Sequence, residues 1–179
     1  MTADNFQNVS LQPGDIFLTH DDSWIGRTIR FFERLHSLED EADYNHAGII
    51  TSSEGATLEA LWRVRRGNLR AEYAGEKVLI GRHKEMDFQR FMIGWERERK
   101  RIGEVYPVSR LVLHALGLGK LIHWHSVVCS ELAVDDLDVS LRDLGVSEFQ
   151  HPYGWEPSDL ENAIREWKQF EIVFEGIVQ

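Results

Sequence analysis

Residues 126–132 read Ser-Val-Val-Cys-Ser-Glu-Leu and hold the one cysteine of the chain. A thiol attacks a carbonyl only as its thiolate, which a helix N-terminus or a neighbouring imidazolium stabilises. The stretch "CSELAVDDL" has helical character. Leu132 and Leu137 flank Ala133 and Val134, and Glu131 stands in the first turn, where the helix dipole favours acid. Cys129 is therefore predicted at a helix start, where backbone N–H groups face the sulfur and are candidate oxyanion donors. The competing reading is a packing thiol, because free cysteine is among the most buried residue types. The segment alone leaves both open.

A cysteine nucleophile needs a base, and of eight histidines His46 is the best placed. It lies in "YNHAGII", a strand pattern whose alternation puts His46, Gly48 and Ile50 on one face and Asn45, Ala47 and Ile49 on the other. Ala47 and Gly48 are small enough to leave room for a substrate or an approaching helix. A histidine inside an apolar strand needs polar partners whether it is structural or catalytic. Glu59, in "ATLEALW", sits on the predicted partner strand, and a hairpin tip at Glu54-Gly55 brings it close to the level of His46. A carboxylate there can hold the imidazole in one tautomer and stabilise its charged form, or be an exposed strand residue. Each residue is a weak signal alone. Cys129, His46 and Glu59 together make a nucleophile, a base and an orienter.

Other side chains bear on chemistry less specifically. "HWH" at His123–His125 has a spacing used in metal sites, with His114 and His20 as further ligands, but no cysteine or acid supports it. No metal site and no cofactor are assigned. His125, four residues before Cys129, is read instead as lining the substrate or supporting the cysteine. Tyr106, Trp62 and Trp124 are candidates for an aromatic cleft wall, and Trp155 can join them, although aromatic residues more often fill cores.

Positioning these groups requires a set of elements. The first ten residues read as a loose polar lead-in. Pro13-Gly14-Asp15 marks a turn into a strand at Ile16–Thr19. Trp24, Ile25, Thr28, Ile29, Phe32 and Leu35 recur at helical spacing behind a Ser23 cap, and the acidic loop "SLEDEAD" follows. "ATLEALWRV" is read as one strand paired with the His46 strand, and "KVLIGRH" as another. "MDFQRFMIGWERERKRIG" and the apolar "PVSRLVLHALGLGKLIH" carry helical periodicity. Pro157 leads into a short last helix, and "FEIVFEGIV" closes the chain as a strand. The expected class is α+β, a small and mainly antiparallel sheet flanked by helices in a single domain spanning residues 1–179.

Composition narrows the function classes. Thirty acidic against 20 basic residues give a formal net charge of −10, unsuited to nonspecific nucleic-acid binding. The arginines at 63, 65, 66 and 70, and the basic run at 97–101, read as solvated faces. One cysteine rules out an internal disulfide and a multi-cysteine zinc knuckle. "MTADNFQNVSLQPGD" lacks a basic region followed by an apolar run, and no stretch has the length of a membrane span, so a cytoplasmic protein without stable membrane insertion is expected.

Taken in order, "PGDIFLTH", the amphipathic helix, "NHAGII", "ATLEAL" and "VVCSELA" resemble the circularly permuted branch of the NlpC-type papain-like superfamily. That branch includes the YiiX-like hydrolases and the lecithin:retinol acyltransferase-like enzymes. In it the histidine strand precedes the cysteine helix, as it does here. The resemblance runs from about Pro13 to about Leu132, with a looser echo at "EPSDL". It implies a permuted papain-like fold with a partial barrel, Cys129 as nucleophile, His46 as general base and acid, and Glu59 orienting His46. The implied activity is cysteine-dependent hydrolysis of an amide bond, in a peptide or amino-acid amide, through a thioester. An acyltransferase or lipid amide or ester hydrolase of the same fold, and an inactive papain-like binding module, are the alternatives. The partner is then a small-molecule, peptide or lipid-like substrate.

Overall fold

The computed structural model describes residues 5–20, 44–61, 63–105, 129–145, 149 and 155–179. Six strands form one sheet: β1 (Ile16–Thr19), β2 (His46–Ile50), β3 (Ala56–Ala60), β4 (Val64–Asn68), β5 (Lys77–His83) and β6 (Phe170–Ile177). Their spatial order is β4-β3-β2-β1-β5-β6, and every neighbouring pair is antiparallel. The sheet is open and does not close into a barrel. Among the described residues four α-helices accompany it: α1 (Leu69–Glu72), α2 (Phe88–Glu98), α3 (Cys129–Leu141) and α4 (Pro157–Glu166). The α+β class and the antiparallel sheet are as expected.

Both faces of the central strands are covered, which explains their unbroken apolar runs. Ile16, Leu18, Ala47, Ile49, Leu58 and Leu79 lie in a core shared with α3 and α4. Phe17, Ile50, Val78 and Ile80 lie in a second core with Phe6, Leu69 and Tyr73. Burying side chains on both faces removes the polar alternation of a half-solvated strand. Nearly every residue of α3 is buried, so it runs through the interior and not over the surface. Asp87 caps α2 by accepting from Arg90 N at 2.8 Å. At α4, Pro157 occupies the first turn, and Asp159 accepts from Glu156 N at 2.8 Å.

Two expectations are corrected. Residues 1–10 are not a loose lead-in throughout: Phe6–Asn8 form a short 3-10 turn capped by Asn5, with Phe6 buried. The Phe6 ring meets Phe174 edge-on at 5.0 Å and carries the Arg70 guanidinium at 4.8 Å. "ATLEALWRV" is not one strand either. The chain leaves β3 after Ala60 and returns as β4, with Leu61 N bonded to Arg63 O. The reversal uses no Gly, Pro, Asn or Asp, so no turn signal marks it.

The Pro-Gly-Asp turn is a structural clamp. Gly14 adopts φ +93°, and Asp15 behind it is buried. Arg82 of β5 grips the Asp15 carboxylate with two bonds, Nε to Oδ1 at 2.6 Å and Nη2 to Oδ2 at 2.8 Å. Replacing Asp15 with alanine removes both of these bonds and leaves Arg82 with Ser10 O at 2.8 Å and Glu171 at 3.8 Å, with an expected loss of about 2–3 kcal/mol in a denaturant titration.

The helical segments expected at 23–35 and 107–123, and the acidic loop between 37 and 43, lie outside the described residues. Among the described residues no helix is long and apolar enough to cross a membrane.

Candidate active site

His46 is the first residue of β2, and Cys129 is the first described residue of α3. The β2–β3 hairpin pairs Gly48 with Glu59. Residues 46, 48 and 59 thus share a face, as the alternation and the tip at Gly55 predict. His46 Nε2 lies 3.0 Å from Glu59 Oε2, with both side chains almost wholly buried. Cys129 is the other neighbour that acts on the imidazole, and it favours the ring's charged form more strongly than Glu59 does. With Nε2 committed to Glu59, Nδ1 is the ring nitrogen left to meet the sulfur. The three residues singled out in the sequence therefore converge in one linked group.

The small residues beside His46 serve packing. Phe17 fills the space over Gly48, where an added Cβ would fall 2.4 Å from its Cε1. Ala47 faces the other way, in the core that contains Cys129 and α3. Phe17 and Tyr73 also flank the imidazole, with ring centroids 6.1 and 6.3 Å away. At the helix start, Ser130 Oγ donates to Trp155 O at 2.6 Å, which ties the first turn of α3 to the segment leading into α4.

Charge is distributed to match. Burial is the largest single influence on His46 and disfavours its cation. The influence of Cys129 and of the Glu59 carboxylate outweighs burial and pushes His46 up to about 10. Burial likewise disfavours the Glu59 anion, but His46, Tyr73 and Arg65 hold the carboxyl below its ordinary value. The imidazolium is thus the form present at neutral pH.

The signs fix a pH window. His46 is raised from 6.5, so its contribution to stability is complete below that value and disappears as pH rises through about 10. Glu59 is lowered from 4.5, so its contribution is present above that value and disappears as pH falls through its lowered one. Wild type should exceed Glu59→Gln in stability most strongly between about pH 5 and 9. Denaturant titrations across pH measure this, and a difference that does not vary with pH would contradict it.

Two residues of the site were read otherwise, or not at all, in the sequence. Arg65, taken there as part of a solvated face, places Nη2 2.8 Å from Glu59 Oε1, an ion contact without hydrogen-bond alignment. Tyr73 donates its hydroxyl to Glu59 Oε2. Recognising the reversal after Ala60 would have exposed Arg65, which pairs directly with Glu59 across β3 and β4. Nothing in the spacing around Tyr73 signals its role. Tyr106, His125, Trp62 and Trp124, the expected substrate-lining residues, lie outside the described residues, as do His114 and His123.

No family model and no curated protein matches the chain. Its fold is shared with a solved structure of an α+β protein whose length it spans almost completely. That structure is the metalloprotein YiiX from Escherichia coli O157:H7, with a TM-score of 0.65 at 15% identity, covering 94% of this chain and 99% of that one. Among the described residues no group of three or more His, Cys, Asp or Glu side chains could hold a metal ion.

Proposed function

We propose that the chain is a permuted papain-like cysteine hydrolase that cleaves an amide bond, in a peptide or amino-acid amide, through a thioester. The observation carrying this reading is the buried His46–Glu59 pair at 3.0 Å, with Cys129 of α3 the neighbour that most favours the charged imidazole. The fold shared with YiiX agrees with the sequence resemblance to YiiX-like hydrolases.

In the first half-reaction the Cys129 sulfur attacks the substrate carbonyl carbon, and the carbonyl π electrons move onto oxygen. N–H groups in the first turn of a helix have no intrahelical partner, and they supply donors for that oxyanion. His46, already protonated, gives its proton to the leaving nitrogen as the C–N bond breaks. The acyl group remains on sulfur. Water then loses a proton to His46 and attacks the thioester. The C–S bond breaks, the acid departs, and thiolate and imidazolium are restored. Glu59 stays ionised throughout, orienting the ring and stabilising its charge.

One feature favours the alternative of a papain-like domain that binds without turnover: Cys129 is only 1% exposed. An activated ester such as p-nitrophenyl acetate separates the two. Intact-mass analysis should find a single acetyl group, mapped to Cys129 and released by hydroxylamine. Acetylation confined to lysines, or unchanged in Cys129→Ala, would defeat the hydrolase reading.

A further inference from the structure

Glu59 is fully buried, and a buried carboxylate persists as an anion only when both oxygens are well engaged. His46 accounts for one direction at Oε2. The Tyr73 hydroxyl approaches the same oxygen, and Arg65 faces Oε1 at 2.8 Å. Arg65 is held in turn by Glu72, whose other oxygen accepts from Asn68 N at 3.1 Å. Asn68 also caps α1, accepting from Ala71 N at 3.1 Å. The one-turn helix that precedes Tyr73 is thus anchored to the strand that carries Arg65.

Gly67 makes this arrangement possible. It lies two residues from Arg65, on the same face of β4, where an added Cβ would come within 2.5 Å of Glu59 Oε1 and 2.9 Å of Glu72 Oε1. A side chain there would drive the carboxylates apart. The Tyr73 ring lies nearly parallel to the imidazole at 22°, with Phe17 closing against both rings. Rotation of the His46 ring is therefore limited by the same residue that fixes its acceptor.

We propose that Tyr73 and Arg65 are positioning residues for the Cys129–His46–Glu59 group, Tyr73 orienting the Glu59 oxygen that receives His46 and Arg65 keeping that carboxylate anionic. The assignment rests on the hydrolase reading only for its effect on rate. Its effect on the imidazole is independent of that reading. A hydroxyl that donates to an ionised carboxylate and a guanidinium charge set beside it both favour the anion, so each favours the state in which Oε2 accepts from His46.

The test combines nitrogen-15 NMR of the His46 ring across pH with iodoacetamide alkylation of Cys129, in full-length wild type, Tyr73→Phe, Arg65→Met and Arg65→Lys. Loss of either group should shift His46 deprotonation to lower pH by about one unit. Arg65→Lys, which keeps the charge, should recover most of the Arg65→Met effect. Wild-type His46 titration in both folded variants would overturn the proposal, as would changes in unfolding temperature alone. Arg65 is partly exposed, so its substitutions decide the matter if Tyr73→Phe does not fold. If wild-type Cys129 reacts no faster than an unfolded control, the hydrolase reading fails, and the His46 titration alone decides the positioning proposal.

Discussion

His46→Ala should slow acylation of Cys129 at neutral pH by about a hundredfold or more, while the protein still folds. The reason lies in what the imidazolium does on each side. Toward Cys129 it offers a proton and a positive charge. Toward Glu59 it is one of three cationic or donor groups, and the other two remain after the substitution. The carboxylate therefore keeps Tyr73 and Arg65, and the stability cost should be held to about 2–3 kcal/mol, the cavity included. Reaction is lost far more than stability. A histidine present only for packing would show the opposite balance, with near wild-type acylation in a protein that unfolds easily. Stopped-flow acylation and denaturant titration on the same preparations distinguish the two.

The Glu59 substitutions should separate charge from shape. Glu59→Gln keeps the volume and one acceptor, but removes the negative charge beside His46 and leaves Arg65 facing a neutral amide. His46 should then deprotonate at lower pH, since the carboxylate charge that helps to raise it is gone. Acylation should fall by about tenfold to a hundredfold, less than for His46→Ala, because an orienter neither gives nor takes the transferred proton. Glu59→Ala should add a structural penalty of about 3 kcal/mol, as Tyr73 and Arg65 lose a shared buried acceptor. An unchanged rate in Glu59→Gln would remove Glu59 from the reacting group and leave it as a core ion pair.

Much of this site was legible in the sequence because short-range patterns placed it. "KVLIGRH" became β5 to the residue, and "NHAGII" with a Glu-Gly tip put His46 and Glu59 on adjoining strands of a hairpin. Hairpin register follows from local spacing, so a contact 13 residues apart could be anticipated. The meeting of Cys129 with that hairpin is long-range, and only the order of the motifs suggested it. What stayed hidden has physical causes too. The sequence between Ala60 and Val64 has no residue with turn preference, so two strands read as one. That error kept Arg65 on a solvated face when it belongs opposite Glu59. Phe6 sits among mostly polar neighbours whose composition conceals that its side chain docks. Tyr73 reaches Glu59 from beyond a single helical turn, a distance in the fold that no periodicity encodes.

The most direct test is the rate of Cys129 alkylation by iodoacetamide near neutral pH, with mass mapping, in native wild type, native His46→Ala and denatured wild type. A packing thiol that is 1% exposed reacts only through transient opening, and so more slowly than in the unfolded chain. A thiol activated by an adjacent imidazolium reacts faster than the unfolded chain, and loses that advantage with His46. The account predicts fast, selective modification of Cys129 in native wild type and a fall below the denatured rate in His46→Ala. Slow native labelling that appears only with denaturant, and does not change when His46 is removed, would contradict it.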